Sequence, residues 1–117
     1  MFILTLLACV TSENFNAHLG TLECQRAEEC DKGAFESSYS DQAECQDDYL
    51  NNTENIATCY IDHCDDFDAQ QANQCLKALR TDTCESYKQG DWFSDCDSVY
   101  TGCDSVDLAL CIAGVAD

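Results

Sequence analysis

A chain of 117 residues is one domain's worth, and eleven cysteines in that length mark a disulfide scaffold suited to an oxidising compartment rather than the cytosol. Twenty-three Asp and Glu against five Lys and Arg give a net charge of −18, which excludes a nucleic-acid binder, because no basic patch exists to neutralise phosphates. The same field repels anionic lipid and favours a cationic protein partner or weakly bound calcium.

Met1 to Ala8 is apolar and uncharged. It is too short to cross a bilayer, which takes about 20 such residues. It resembles the apolar core of a signal peptide, and Leu6-Leu7-Ala8-Cys9 resembles the bacterial lipobox, in which the cysteine is lipidated and becomes the new N-terminus. No Lys or Arg precedes Arg26, so the basic segment that opens such signals is missing here. The resemblance implies a lipoprotein-type signal segment over 1–8 and a cysteine-rich domain over 9–117, lipid-anchored at Cys9. Val10, where an Asp would signal inner-membrane retention, points to the outer membrane or cell surface. A buried N-terminal strand or helix is the alternative. Cysteine arithmetic favours the lipobox. With Cys9 set aside, Cys24, Cys30, Cys45, Cys59, Cys64, Cys75, Cys84, Cys96, Cys103 and Cys111 can close as five bridges with none left over.

A first helix is expected from about Glu13 to Cys30, with Phe15, Leu19 and Leu22 inward and His18 at the core edge. Asp41 with Glu44 makes a capping box that opens a second. There Cys45, Tyr49, Ile56, Cys59, Tyr60 and His63 fall near one face, but Asn51-Asn52-Thr53 interrupts the apolar signal and leaves one long helix or two short ones open. The same three residues form a glycosylation sequon, meaningful in a eukaryotic host. The clearest helix spans 68–80: Asp68 caps it, Gln71 completes the box, Phe67 supplies a hydrophobic staple, and Ala72, Cys75, Leu76 and Leu79 form the apolar stripe. Lys77 and Arg80 suit its C-terminal dipole. Trp92, Cys96, Val99 and Tyr100 have helical spacing within 92–103, and the apolar tail Val106–Val115 reads as a short helix or an edge strand. The absence of proline suits helices. These elements predict an all-α fold, a small disulfide-rich antiparallel bundle of about four helices. Antiparallel neighbours make Cys30–Cys45, Cys59–Cys75 and Cys84–Cys96 the expected bridges, out of roughly 945 connectivities for ten cysteines.

Cys64-x-x-Phe67-Asp68-x-x-x-Ala72-x-x-Cys75-Leu76-x-Ala78-Leu79, followed by Cys84 and by Cys96-Asp97-Ser98-Val99-Tyr100, resembles the small cysteine-rich lipoproteins abundant in myxobacteria-like bacteria. The similarity spans roughly Cys24 to Cys103 and leaves Cys111 in an added tail. It implies export, lipidation and a helical disulfide framework. The family has no activity to carry over.

Candidate chemistry is sparse. Structural zinc sites show paired Cys-x2–4-Cys spacings. Here Cys59 and Cys64 are the closest pair, with His63 beside them, and disulfides explain the same residues. Cys59-Tyr60-Ile61-Asp62-His63-Cys64-Asp65 is faintly similar to the cysteine-rich helix of secreted phospholipases, but the Asp and His are in reversed order and the Gly-rich calcium loop is missing. Two acidic clusters, Asp65/Asp66/Asp68 and Asp91/Asp95/Asp97, are the better calcium candidates, although neither has EF-hand spacing. Trp92 and Phe93 are either a core anchor or an exposed patch for a partner. No nucleophile elbow, phosphate loop or dinucleotide fingerprint is present. The sequence therefore assigns no catalytic residue, no metal site and no cofactor. It predicts a lipid-anchored, non-enzymatic acidic envelope or surface protein with a structural or interaction role. The alternatives are a freely secreted ligand-binding or inhibitory module and, further off, a small calcium-dependent hydrolase using His63.

Overall fold

The computed structural model describes residues 10–116, so Cys9 and the 1–8 segment lie outside it. In chain order the elements are α1 (Phe15–Cys30), α2 (Lys32–Ser38), α3 (Gln42–His63), β1 (Cys64–Phe67), α4 (Ala69–Thr81), α5 (Cys84–Gln89), a 3-10 turn (Asp91–Cys96), β2 (Tyr100–Cys103) and α6 (Ser105–Ala116). The fold is helical and disulfide-rich, with four longer helices of 16, 22, 13 and 12 residues (α1, α3, α4 and α6).

The capping signals act where the sequence places them. Asp41 Oδ1 accepts from the Glu44 N–H at 2.9 Å, and Glu44 Oε1 in turn accepts from the Ser40 N–H at 2.6 Å. Asp68 Oδ1 accepts from the Gln71 N–H at 3.1 Å. The Asp41 and Asp68 bonds each satisfy a helix-start amide that has no partner inside the helix, while the Glu44 bond holds Ser40, the residue before the cap. Asn51-Asn52-Thr53 does not break α3, which continues through it as one helix. Thr53 Oγ1 donates to the Tyr49 carbonyl at 2.7 Å, so its hydroxyl is satisfied within the helix.

Helix α1 lies against α3 and α4. Its pairing with α3 is antiparallel and in register along the seam: Cys24 bridges Cys45, Gly20 meets the Tyr49 ring, and Asn16 Nδ2 donates to Thr53 Oγ1 at 2.9 Å. The main core collects Phe15, Ala72, Cys75, Leu76, Leu79, Trp92 and Val99, joined by Val10 from the segment before α1. The predicted α4 stripe is thus buried in full. A smaller cluster of Cys24, Phe35 and Cys45 sits beneath α2, a helix the sequence reading did not anticipate.

The stretch 92–103 is not a helix. It makes a 3-10 turn and then β2, which pairs antiparallel with β1, Cys64 opposite Cys103 and Phe67 opposite Tyr100. The ladder extends at both ends through Asp104 N–H to the His63 carbonyl at 3.0 Å and Asp68 N–H to the Val99 carbonyl at 2.8 Å. Main-chain bonds to a strand distant in sequence outweigh the local helical spacing. The tail resolves as a helix, with Asp104 Oδ1 accepting from the Val106 and Asp107 N–H groups.

The five bridges are Cys24–Cys45, Cys30–Cys84, Cys59–Cys111, Cys64–Cys103 and Cys75–Cys96. All three expected pairings are corrected. Helix α2 occupies the first hairpin, so Cys24, not Cys30, faces Cys45, and Cys30 reaches α5 instead. Cys59 faces α6, and Cys75 faces the 3-10 turn. The Cys30–Cys84 junction is reinforced by Arg26, which is 8% exposed. Its guanidinium donates to Glu29 Oε1 and to the Asp82 carbonyl and sits 5.7 Å over the Tyr87 ring.

Candidate functional site

The long seam between α1 and α3 does not close along its whole length. At the end away from α2 it opens into a cavity of about 390 Å³. One turn of α1 contributes Phe15, Asn16 and Leu19. Helix α3 contributes Tyr49, Thr53, Ile56, Ala57 and Tyr60, which recur at intervals of three and four residues and so share one face. The third wall comes from the 3-10 turn and the start of β2, through Phe93, Val99 and Tyr100.

The walls are held rather than loosely packed. Cys75–Cys96 ties the 3-10 turn to α4, and Cys24–Cys45 ties α1 to α3. Tyr60 and Tyr100 have ring centroids 5.4 Å apart, and Phe15 meets Tyr100 edge-on at 6.3 Å. The Tyr100 hydroxyl donates to the Ser12 carbonyl at 3.3 Å and fixes the ring from the segment just before α1. Burial and the neighbouring Glu13 charge push that phenol up. Phe93 stacks on buried Trp92 with centroids 4.0 Å apart, yet is itself 58% exposed at the cavity rim. The pair therefore divides the two sequence readings between them: Trp92 anchors the core and Phe93 is presented to solvent.

Farther along the seam lies a second cavity of about 210 Å³, lined by Glu23, Tyr39, Asp48 and Tyr87 among others. Tyr49 and Thr53 line both cavities and so separate them. Burial raises the Glu23 carboxyl above its usual range, opposed by a hydrogen bond from Tyr49. Tyr49 is driven far above an ordinary phenol, first by burial and then by the Glu23 charge. Burial and the same charge raise Tyr87, with Arg26 pulling the other way. Among the described residues, neither cavity has a Lys, Arg or His in its wall, whereas Asp97 lines the first and Glu23 and Asp48 line the second.

The other sequence candidates lie elsewhere. Asp62 is exposed and His63 half-buried at the end of α3, outside both cavities. His18 is half-buried on α1. Asp65 and Asp66 are exposed on β1, and Asp68 is engaged in its cap. Among the described residues, no group of three or more His, Cys, Asp or Glu side chains is placed to hold a metal ion. No described helix is long and apolar enough to cross a membrane. The cavity itself was partly legible, since Tyr49, Ile56 and Tyr60 already shared a face in the sequence. Its Phe93 and Tyr100 wall was not, because that wall depends on the unforeseen β1–β2 pairing.

The fold and its cavity define a small, bridge-locked helical domain. Compared with known proteins, the chain matches no family model, no curated protein and no solved structure.

Proposed function

We propose that this chain is an exported, lipid-anchored, non-enzymatic acidic domain of the bacterial outer membrane or cell surface with an interaction role. The observation that carries this reading is the cysteine account. All ten cysteines after Cys9 are taken up in five bridges, and the eleventh is the one that ends the lipobox-like Leu6-Leu7-Ala8-Cys9. Bridges on this scale belong to an oxidising compartment. Several acyl chains on one cysteine would anchor stably, where a single chain binds only marginally.

The residue that follows the anchor position is already part of the folded core. Val10 is 7% exposed and packed into the main core, so little linker separates a lipidated Cys9 from the body. An anchored protein of this kind lies directly on the bilayer, and its charge of −18 turns its acidic faces outward from anionic headgroups.

The test is an intact mass under non-reducing conditions after alkylation of free thiols, with detergent-phase partitioning of the cells. A chain beginning at Cys9 that carries diacylglycerol-type mass, takes up no alkylating agent and enters the detergent phase is expected. A chain retaining Met1, or with several alkylated cysteines, overturns the reading. An unlipidated, fully bridged chain in the medium replaces it with the secreted-module alternative.

A further inference from the structure

We propose that the larger α1–α3 cavity is a binding site for a small organic cation with an apolar body, of the alkyl- or arylammonium class. The proposal goes beyond the anchor and does not depend on it. The cavity's volume of about 390 Å³ falls within the ordinary range of small-ligand sites, which are mostly apolar with a few polar groups. Its distinguishing feature is the combination of rings and charge. Phe15, Tyr49, Tyr60, Phe93 and Tyr100 line one half-open cavity with five aromatic side chains. Ring faces are electron-rich and attract ammonium groups, most strongly where water is excluded. Among the described residues, the charged side chain in the wall is Asp97, a solvent-exposed carboxylate at the rim, and no Lys, Arg or His competes for the rings.

The rest of the molecule selects the same sign. A net charge of −18 raises the local concentration of cations and repels fatty-acid and sulfonate anions of equal apolar size. The apolar body of the ligand fits Leu19, Ile56 and Val99. Phe93 explains itself in this arrangement. It is 58% exposed although stacked on Trp92, and it sits at the rim where a bound ligand would cover it. The bridges Cys24–Cys45 and Cys75–Cys96 keep the walls in place without ligand, which lowers the ordering cost of binding.

The experiment is calorimetric titration of the oxidised full chain at physiological salt with decyltrimethylammonium, decane sulfonate and decanol, each below its aggregation threshold. One saturable equivalent of the ammonium is expected, bound at least tenfold more tightly than either matched compound. Phe93→Ala, at an exposed site that leaves the core intact, is expected to weaken it several-fold, and Asp97→Asn likewise. Ile56→Trp is expected to fill the cavity and abolish the saturable phase while the melting transition is retained. Equal affinity for decanol overturns the cation assignment. So does binding of many equivalents that vanishes with salt, which marks surface charge alone. Unchanged binding in Phe93→Ala and Ile56→Trp places the ligand elsewhere. A concentration-dependent dimer that loses the site in sedimentation means that a second copy covers Phe93, and also overturns the proposal.

Discussion

Glu23 sits in an environment that opposes its charge. It is half-buried on α1 among Tyr49 and Tyr87, in a molecule already strongly negative. Because burial raises its folded-state pKa above the unfolded value, its favourable contribution is present below the ordinary carboxylate range and is lost as pH rises through the raised value. At neutral pH the ionised form is therefore a cost. Glu23→Gln keeps an oxygen for the Tyr49 hydroxyl and removes the charge. It is expected to raise stability at pH 7 by less than about 1 kcal/mol after solvent screening. The gain should vanish below about pH 4, where the wild-type carboxyl is protonated. Melting temperatures of both proteins between pH 3 and 8 check this, and a variant less stable at pH 7 contradicts it. The raised phenols act at the other extreme: Tyr39, Tyr49, Tyr87 and Tyr100 all lose stabilising protonation only as pH climbs past about 10.

At the scale of elements, the α1–α3 seam depends on one missing side chain. A Cβ on Gly20 would lie 2.8 Å from Tyr49 Cδ1, closer than real contacts allow. Gly20→Ala gains about 1 kcal/mol of helix propensity but forces the Tyr49 ring to move, at an overpacking cost of about 1–3 kcal/mol. A net loss of stability is expected in urea unfolding with the bridges intact, together with altered volume on both sides of Tyr49. Adding Tyr49→Leu should remove the clash, so the double variant should show clear non-additivity. Additive effects would mean that the seam is looser than the contact implies. The caps at Asp41 and Asp68 and the α4 stripe were readable because they rest on interactions within about a turn. The 92–103 region was not. Trp92, Cys96, Val99 and Tyr100 keep helical spacing, but Tyr100–Cys103 finds its hydrogen bonds on β1, some 36 residues earlier. Gly102, at φ 65, then allows close approach to Asp65, where a Cβ would lie 3.0 Å from Asp65 Cβ. No local pattern announces such a pairing.

For the whole molecule, the bridges divide the structure into a braced body and an appended helix. Three of them, Cys24–Cys45, Cys30–Cys84 and Cys75–Cys96, brace α1 to α5 and the 3-10 turn. Helix α6 is joined to α3 by Cys59–Cys111, while its Val106 and Leu110 are each 66% exposed. Because Cys64–Cys103 already closes the chain inside it, this bridge adds only a short further loop, worth about 3 kcal/mol in the chain-entropy account. Cys59→Ala with Cys111→Ala should therefore release α6 first. Hydrogen exchange is expected to show amide protection lost over Ser105–Ala116 and retained in α1 and α4. A uniform loss across all helices would show that the bridge supports the core itself.

By itself the sequence determined the helical class, the two principal helix starts, the buried face of α4, the acidic surface and a cysteine set able to close in pairs. These rest on composition and on contacts three or four residues apart. Only the tertiary structure decided the bridge partners, the β1–β2 ribbon, the extra helix α2 and the cavity with its ring of aromatic side chains. Each of these depends on which surfaces meet after the chain folds back over tens of residues. Periodicity along one helix carries no information about the helix that will face it.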